Sequence, residues 1–241
     1  MYRPSIFMAI VLALASCQKE DSNNTEPSLE PEAIVFSKES GSYAAVQLPY
    51  RKAEINASLS VPPIIVLYLH GGSAKGSDNE SQLKEPGVIS ISEYLRDNGM
   101  RAIMLVPQCP SDRSWGAIMN RPLKALLDKY KTSSSKVYCF GGSMGGSGTW
   151  NLVNANPSYF AGAMPVAGNP SSCIASNFAS TRVFAVMGTA DTIMSYETVK
   201  TFTDEIGAAS GTCKYELEDG WSHQDVCEKS YTTSRLKWVF E

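Results

Sequence analysis

The sequence predicts a single α/β domain with a mostly parallel central sheet flanked by helices. Three observations support this fold class. Short apolar runs alternate with segments of helical periodicity from residue 33 onward. The runs are continuous rather than alternating with polar residues, which is typical of strands buried on both faces. A content of 43% hydrophobic and 19% charged residues is that of a globular chain that can build a full core.

The strands of the sheet are predicted first. The segments "SYAAVQLPY" (42–50) and "AEINASL" (53–59) predict an early pair of strands with antiparallel pairing. A last strand is predicted over "KYELED" (214–219). Between them lie the five continuous apolar runs, each followed by turn residues: "IIVLYLH" (64–70), "RAIMLVP" (101–107), "KVYCFGG" (136–142), "FAGAMPVAG" (160–168) and "RVFAVMG" (182–188).

Helical patterns fill the connections between these strands. The first and fourth stop at Gly99 and near Gly207, as helix C-termini often do. The predicted helices are "VISISEYLRDNG" (88–99), "RPLKALLDKYK" (121–131), "GGSGTWNLVNANP" (145–157), "YETVKTFTDEIGAA" (196–209) and the C-terminal "SYTTSRLKWVFE" (230–241). Ligand sites of such sheets lie beyond the carboxyl ends of the strands, so the loops after the apolar runs are where we expect chemistry.

The N-terminal residues have the pattern of an export signal. Arg3 precedes the run "IFMAIVLALAS", which is too short to span a bilayer as a mature helix; the alternative is a short buried helix. "LASC" resembles the lipobox of bacterial lipoproteins, which implies a signal peptide over 1–16 and acylation of Cys17. The polar, proline-rich segment 17–32 is expected to be a flexible tether, with the catalytic domain over 33–241.

These features predict a location in the bacterial cell envelope, anchored by lipid to the outer membrane. The segment "QKEDSNN" after Cys17 resembles signals that send lipoproteins to the cell surface. Either a periplasmic or a surface-exposed orientation is compatible with the sequence.

Charge and residue counts narrow the function. A net charge of −3 without a Lys/Arg cluster gives no footprint for nucleic acid. Two isolated histidines, His70 and His223, do not make a metal site, and we expect no metal and no cofactor.

The cysteines of the domain permit disulfides, but their number is odd. At least one of the five therefore stays unpaired. The nearest pair along the chain, Cys213 and Cys227, is the candidate disulfide, and Cys139 in an apolar run is expected to be a small buried side chain. The five are Cys109, Cys139, Cys173, Cys213 and Cys227.

A glycine-rich segment carries the candidate nucleophile. Residues 141–145 read "GGSMG" and fit G-x-S-x-G. The motif follows a predicted buried strand and opens a helical pattern, which is the setting of a nucleophile elbow. Gly141 and Gly145 would allow the sharp turn that lifts Ser143 above the sheet. The alternatives are a packing turn or a phosphate loop, but the Gly-Lys-Ser/Thr of a Walker loop is missing.

A serine hydroxyl needs a base to act as a nucleophile at neutral pH. In the hydrolases that such a nucleophile elbow resembles, the chain order is serine, acid, histidine. His223, in "EDGWSHQDV", satisfies that order, whereas His70 precedes Ser143. His223 is therefore the predicted base.

The acid is expected between serine and histidine, in a loop after a strand. Asp191, in "VFAVMGTADT", occupies that place, and its predicted role is to orient His223. The alternative for Asp191 is a turn residue. Asp204 falls on a helical pattern, and Asp219 and Asp225 lie too close to the histidine along the chain.

Donors for an oxyanion are predicted from two places. The segment "LHGGS" (69–73) resembles the His-Gly-Gly loop that supplies one backbone N–H, here from Gly72. The second N–H comes from Met144, directly after the serine. On this interpretation His70 holds the loop and is not a base.

Together these segments resemble the α/β-hydrolase superfamily. Within it, the chain resembles small secreted esterases grouped with feruloyl and acetylxylan esterases, polyhydroxybutyrate depolymerases and dienelactone-hydrolase-like proteins. It departs in having no obvious lid insertion and in Gly142, where relatives often carry a bulkier residue. The segments that carry the resemblance are "LYLHGGSAKGSDN", "MLVPQCP" followed by Trp115, "VYCFGGSMGGSGTWNLVNANPSYFAGAMPVAG", "VMGTADTIM" and "GWSH", within residues 64–223.

The resemblance implies a serine hydrolase that cleaves carboxylic esters through an acyl-enzyme, with acyl or feruloyl esters of polysaccharide as the substrate class. A serine peptidase of the same fold and a non-catalytic glycan-binding lipoprotein are the alternatives. Gln108, Trp115 and Trp221 follow predicted strands or lie near them. Each is either a substrate contact or a loop and core residue.

Overall fold

An eight-stranded sheet forms the centre of the protein in a computed structural model that describes residues 32–241. The predicted signal peptide 1–16, Cys17 and residues 17–31 of the predicted tether lie outside the described residues. Residues Glu32–Glu241 form one compact unit. The strands are β1 (Ser37–Tyr43), β2 (Val46–Ile55), β3 (Ile64–Leu69), β4 (Ala102–Pro107), β5 (Val137–Gly142), β6 (Gly162–Val166), β7 (Arg182–Gly188) and β8 (Cys213–Glu218).

The topology of the sheet confirms the predicted fold class. The strands lie in the order β1-β2-β4-β3-β5-β6-β7-β8. β1 pairs antiparallel with β2, and β2 pairs antiparallel with β4. All pairings from β4 through β3 to β8 are parallel. The carboxyl ends of six strands therefore meet at one edge of the sheet.

Helices cover both faces of the sheet, as predicted. Side chains from α2, α3 and α4 pack on one face, and side chains from α1, α5 and α6 pack on the other. Within residues 32–241, none of the helices is long and apolar enough to cross a membrane. The helices are α1 (Pro86–Asp97), α2 (Ala117–Tyr130), α3 (Met144–Ala155), α4 (Tyr196–Ala208), α5 (His223–Lys229) and α6 (Thr233–Phe240).

The first two strands differ in their bounds from the prediction. An antiparallel pair does open the sheet, but it does not join the two predicted segments: the turn falls on Ala44 and Ala45, inside the segment 42–50, and β2 continues from there through Ile55 of the second segment. Both alanines have positive φ, 48° and 65°. Such a tight hairpin turn usually carries Asn or Gly, and neither residue marks the turn in this sequence.

The C-terminal region contains a helix that was not predicted. Only α6 was expected, over 230–241, but α5 precedes it and begins at His223. Ser222 caps α5 in a reciprocal capping box with Asp225. This Ser-x-x-Asp pattern is a sequence signal for a helix start, and a helix of seven residues is short enough to escape a search for periodicity.

Two hydrophobic clusters form the core, one on each face of the sheet. Trp150 and Phe160 are buried in the first cluster. The predicted disulfide is wrong: Cys213 packs against the first cluster and Cys227 against the second, and both are free thiols. The sheet separates them, so closeness along the chain misled the prediction.

Candidate active site

Ser143 lies on a sharp turn between β5 and α3. Its backbone has φ 56° and ψ −118°, a region that a residue with a side chain adopts only under strain, at a cost of about 1 to 3 kcal/mol. The two flanking glycines allow the turn. A Cβ on Gly145 would stand 1.8 Å from the carbonyl oxygen of Leu69, and one on Gly141 would stand 2.4 Å from that of Gly145.

Ser143, His223 and Asp191 form one hydrogen-bonded line. His223 Nε2 lies 2.8 Å from Ser143 Oγ, and its Nδ1 lies 2.8 Å from Asp191 Oδ2. A carboxylate oxygen only accepts, so Nδ1 carries the proton and Nε2 is left to accept the serine hydroxyl proton. The structure thus brings together three residues that are far apart along the chain.

The surroundings of Asp191 hold its carboxylate in place. Its second oxygen, Oδ1, accepts hydrogen bonds from the backbone N–H groups of Ile193 (2.8 Å) and Met194 (2.9 Å). The Asp191 side chain is fully buried, whereas 16% of the His223 side chain is exposed. The carboxylate is therefore fixed inside the protein, and the imidazole keeps one edge at the surface where a substrate can reach it.

The other acidic candidates serve different partners. Asp204 pairs with Lys200 on the exposed side of α4, as its helical position suggested. Asp219 accepts from the hydroxyl of Thr189. Asp225 caps the N-terminus of α5. None of the three bonds to the imidazole of the candidate base.

The two backbone amides predicted as oxyanion donors both lie at helix starts near Ser143. Gly72 begins a short 3-10 helix, Gly72–Ala74, and Met144 begins α3. An N–H group at the first position of a helix has no partner within that helix, and the helix dipole adds positive potential there. A Cβ on Gly72 would meet nothing within 4 Å, so space is open beside its amide.

His70 occupies the structural place predicted for it. It is fully buried, its Nδ1 lies 2.6 Å from the carbonyl oxygen of Gly71, and its Nε2 accepts from the backbone N–H of Cys109 at 2.9 Å. Burial lowers the pKa of this imidazole to about 4, so it is neutral at physiological pH. The ring ties the loop after β3 to the loop after β4.

Gln108 does not line the cleft at Ser143, which favours the loop interpretation of its position over that of a substrate contact. The side chain is fully buried. Its oxygen accepts from the backbone N–H of Asn79 at 2.6 Å. Its nitrogen donates to the carbonyl of Ala74 at 3.1 Å and to Asp78 at 2.7 Å. Gln108 therefore holds the 74–79 segment.

The two tryptophans offered as substrate contacts are also placed elsewhere. Trp115 is buried, and its indole N–H donates to the carbonyl of His70 at 3.0 Å. Trp221 is half-buried beneath Lys229 and Arg235, whose cationic groups lie 5.7 and 5.8 Å from its ring centre. Neither ring lines the cleft at Ser143, which favours the alternative interpretation of both as core or loop residues over that of substrate contacts.

An open cleft of about 670 Å³ leads to Ser143 and His223. It runs between the N-terminal side of α1 and the exposed side of α5. Its polar and charged lining was missed in the sequence, although helix starts at the carboxyl edge of the sheet are a usual place for such groups. The lining residues besides Ser143, His223 and the Gly71–Ala74 loop include Ser81, Lys84, Glu85, Ile193, Gln224, Cys227 and Glu228.

Glu85 is the most enclosed of the charged groups in this lining. Its Oε1 accepts from the backbone N–H of Gly71 at 3.2 Å, and its Oε2 accepts from the hydroxyl of Tyr68 at 3.4 Å. Burial raises the pKa of Glu85, and the hydrogen bonds from Gly71 and Tyr68 act in the opposite direction. The carboxyl group thus connects β3, the Gly71–Ala74 loop and the start of α1.

Cys227 also lines the cleft but is not a competing nucleophile. Burial raises the pKa of its thiol to about 12, so the reactive thiolate is scarce at neutral pH. Within residues 32–241, no group of three or more His, Cys, Asp and Glu side chains is arranged to hold a metal ion.

Solved structures similar to this chain include several esterases. A thermostable esterase aligns with a TM-score of 0.75 and 22% identity over 85% of this chain; the chain spans 62% of that protein. Est1E from Butyrivibrio proteoclasticus aligns with a TM-score of 0.61 and 12% identity over 85% of this chain and 99% of its own. A feruloyl esterase module from Clostridium thermocellum aligns with a TM-score of 0.68 and 15% identity, covering 88% and 89% of the two chains.

No protein-family model and no curated protein matches the sequence. The structural similarity, together with the strand order and the turn at Ser143, establishes that the chain has the α/β-hydrolase fold. This is the fold that the resemblance of the sequence implies.

Proposed function

We propose that the protein is a serine hydrolase that cleaves carboxylic esters. The observation that carries the proposal is the continuous hydrogen-bonded line from Ser143 through His223 to Asp191, with 2.8 Å at each step. Fold similarity alone does not give a reaction, but this line has the geometry that activates a serine hydroxyl. The esterases with similar structures support the same reaction class.

The first half of the reaction forms an acyl-enzyme. Ser143 Oγ attacks the ester carbonyl while its proton passes to His223 Nε2. Asp191 stabilises the resulting imidazolium through Nδ1. The carbonyl oxygen becomes an oxyanion and accepts from the amides of Gly72 and Met144, an interaction typically worth about 3 kcal/mol per donor. The imidazolium then gives its proton to the leaving alcohol.

The second half releases the acid. Water takes the place of the alcohol, gives a proton to His223 Nε2 and attacks the acyl carbon. The second tetrahedral intermediate uses the same two amides. Its collapse expels Ser143 Oγ, which regains the proton from the imidazolium. The bond between Ser143 and the acyl group is thereby broken and the enzyme returns to its starting state.

For the substrate we propose acyl or feruloyl esters on polysaccharide. The feruloyl esterase module among the similar structures supports this choice. The cleft is wide, open to solvent and lined by polar groups such as Ser81, Gln224 and Glu228, which suits a hydrated polymer better than a long lipid chain.

The test is a substrate panel with matched serine variants. p-Nitrophenyl esters, methyl ferulate, acetylated xylan and aminoacyl anilides are compared with the purified domain. We expect hydrolysis of esters that disappears in Ser143→Ala. The control is Ser147→Ala in the same glycine-rich segment, where Oγ only accepts from the backbone N–H of Asn169. Cleavage of anilides without ester cleavage would identify a peptidase, and activity that survives in Ser143→Ala would refute the proposal.

We further propose that the protein is a lipid-anchored lipoprotein of the cell envelope. The support is the signal-like segment and the lipobox-like "LASC" that ends at Cys17. In a bacterial host, the full chain is expected in the membrane fraction and Cys17→Ser in the soluble fraction. Equal membrane recovery of both would contradict the anchor.

A further inference from the structure

Glu85 is placed where a helix cap would be expected, but it does not cap the helix. It is the N-cap residue of α1, and its side chain makes no hydrogen bond to the first turn. Ser, Thr, Asp or Asn is preferred at this position because the side chain then satisfies an amide of the helix. The carboxyl group turns instead toward Gly71 and the cleft. Departures from local rules of this kind are expected mainly at functional sites.

The carboxyl group lies beside the nucleophile. A Cβ placed on Gly71 would stand 3.5 Å from Glu85 Oε1 and 3.8 Å from Ser143 Cβ. Both atoms therefore border the same small volume at the inner end of the cleft. A substrate bonded to Ser143 would therefore lie near the Glu85 carboxyl group.

The acceptor capacity of Glu85 is not used up by the protein. A carboxylate offers about four lone-pair directions. Two of them are engaged, by Gly71 at 3.2 Å and by Tyr68 at 3.4 Å, and both contacts are at or beyond the long end of the usual range. The remaining directions are open to a donor that enters the cleft.

The other charged side chains of the cleft lining are exposed to solvent, and one is positive and the other negative. Lys84 and Glu228 are both exposed, and charges in open solvent are strongly screened. Glu85 is half-buried, so its field on a neighbouring group is weakened less. It is therefore the charged cleft-lining residue best placed to distinguish substrates by charge.

We propose that Glu85 is the specificity-determining residue of the cleft. Its carboxylate accepts a hydrogen bond from a hydroxyl or ammonium group of the substrate, and it disfavours an ester that carries a carboxylate at the same position. This inference rests on the proposed ester hydrolysis and adds the chemistry of the substrate. If the Glu85 carboxylate and a carboxylate of the substrate lie roughly 6 Å apart, at an effective dielectric constant of about 40, their repulsion lowers kcat/KM about tenfold.

The test compares neutral and anionic esters of the same shape. For the acyl side, these are the p-nitrophenyl esters of adipic acid and of its monomethyl ester. For the alcohol side, they are 4-acetoxybenzoate and its methyl ester. The measured quantity is the neutral-to-anionic ratio of kcat/KM at about pH 8, where carboxylates are ionised. In the wild-type enzyme, we expect about tenfold preference for the neutral ester in at least one series.

Glu85→Gln keeps the shape and an acceptor for Gly71 but removes the charge. The ratio in the discriminating series should fall toward one. Glu85→Ser is the second charge-removing variant, and a serine at the N-cap of α1 favours the helix, so a folded protein is expected. The matched control is Glu93→Gln, which removes one exposed negative charge from the same helix and should leave the ratio unchanged.

Two results would overturn the inference while leaving ester hydrolysis intact. One is a wild-type ratio near one in both series. The other is a ratio that Glu85→Gln and Glu85→Ser leave at the wild-type value. If no ester is hydrolysed, or if hydrolysis persists in Ser143→Ala, the proposed function itself has failed, and this is distinguishable from a failure of the specificity proposal.

Discussion

The buried imidazole of His70 makes a specific prediction for stability against pH. Its Nε2 accepts from the Cys109 N–H at 2.9 Å, and its Nδ1 lies 2.6 Å from the carbonyl of Gly71. Protonation would place a second N–H against that of Cys109 and leave a charge in the core. The pKa is accordingly lowered by burial from 6.5 to about 4.

The direction and the size of this pH effect on folding stability follow from proton linkage. Between these two pKa values the unfolded chain binds the proton and the folded chain does not, so the folded state loses stability as the pH falls. The contribution is fully present above pH 6.5 and decreases toward about pH 4. The full difference corresponds to about 3 kcal/mol, and at about pH 4.5 roughly 2.5 kcal/mol of it is already lost.

The assay is urea unfolding of the domain between about pH 7.5 and pH 4.5, followed by tryptophan fluorescence. In His70→Gln the amide oxygen can still accept from Cys109, but nothing titrates. We expect this variant to be less stable than wild type at neutral pH and to lose about 2 kcal/mol less over the window. His223→Gln removes the other histidine of the chain. Because this variant keeps His70, it should lose as much folding stability as wild type when the pH is lowered. An equal loss of stability in wild type and His70→Gln would refute the reasoning.

Two further predictions concern the catalytic line and the turn. Asp191→Asn should lower kcat by about three to four orders of magnitude, because the amide no longer favours the His223 tautomer with Nδ1–H; ester kinetics within tenfold of wild type would contradict this. Gly145→Ala should destabilise the domain by about 3 kcal/mol or prevent folding, because its Cβ would stand 1.8 Å from the backbone oxygen of Leu69. Gly72→Ala is the matched control for stability, since its Cβ meets nothing within 4 Å, and equal unfolding midpoints of the two variants would show that the contact at Gly145 is relieved cheaply.

The sheet was predictable from patterns local to the chain, and the catalytic line from strand ends combined with the chain order of the hydrolases that the sequence resembles. A strand such as Arg182–Gly188 is buried on both faces, so its whole segment is apolar and easily found. The carboxyl ends of parallel strands share one edge. This geometry is why Ser143, Asp191 and His223 could be grouped before their distances were known.

The remaining errors have a common physical origin in tertiary contacts. The turn at Ala44 and Ala45 is made by residues that carry no turn signal, because strand pairing on both sides imposes it. Trp115 and Gln108 follow strand ends like true site residues, but each is drawn inward by a buried hydrogen-bond partner. Glu85 was also missed because of a tertiary contact, although here the contact holds the side chain at the cleft instead of drawing it inward. Its position at the cleft can be inferred only when Gly71 is known to lie beside it.

The proposed reaction requires that Ser143 is the nucleophile and that His223 activates it. The decisive measurement is reaction of the domain with a fluorophosphonate, followed by intact mass and peptide mapping. We predict a single adduct, on the peptide that carries Ser143, and a labelling rate that falls by about a hundredfold or more in His223→Ala. An adduct on another residue, or an unchanged labelling rate in His223→Ala, would contradict the central claim.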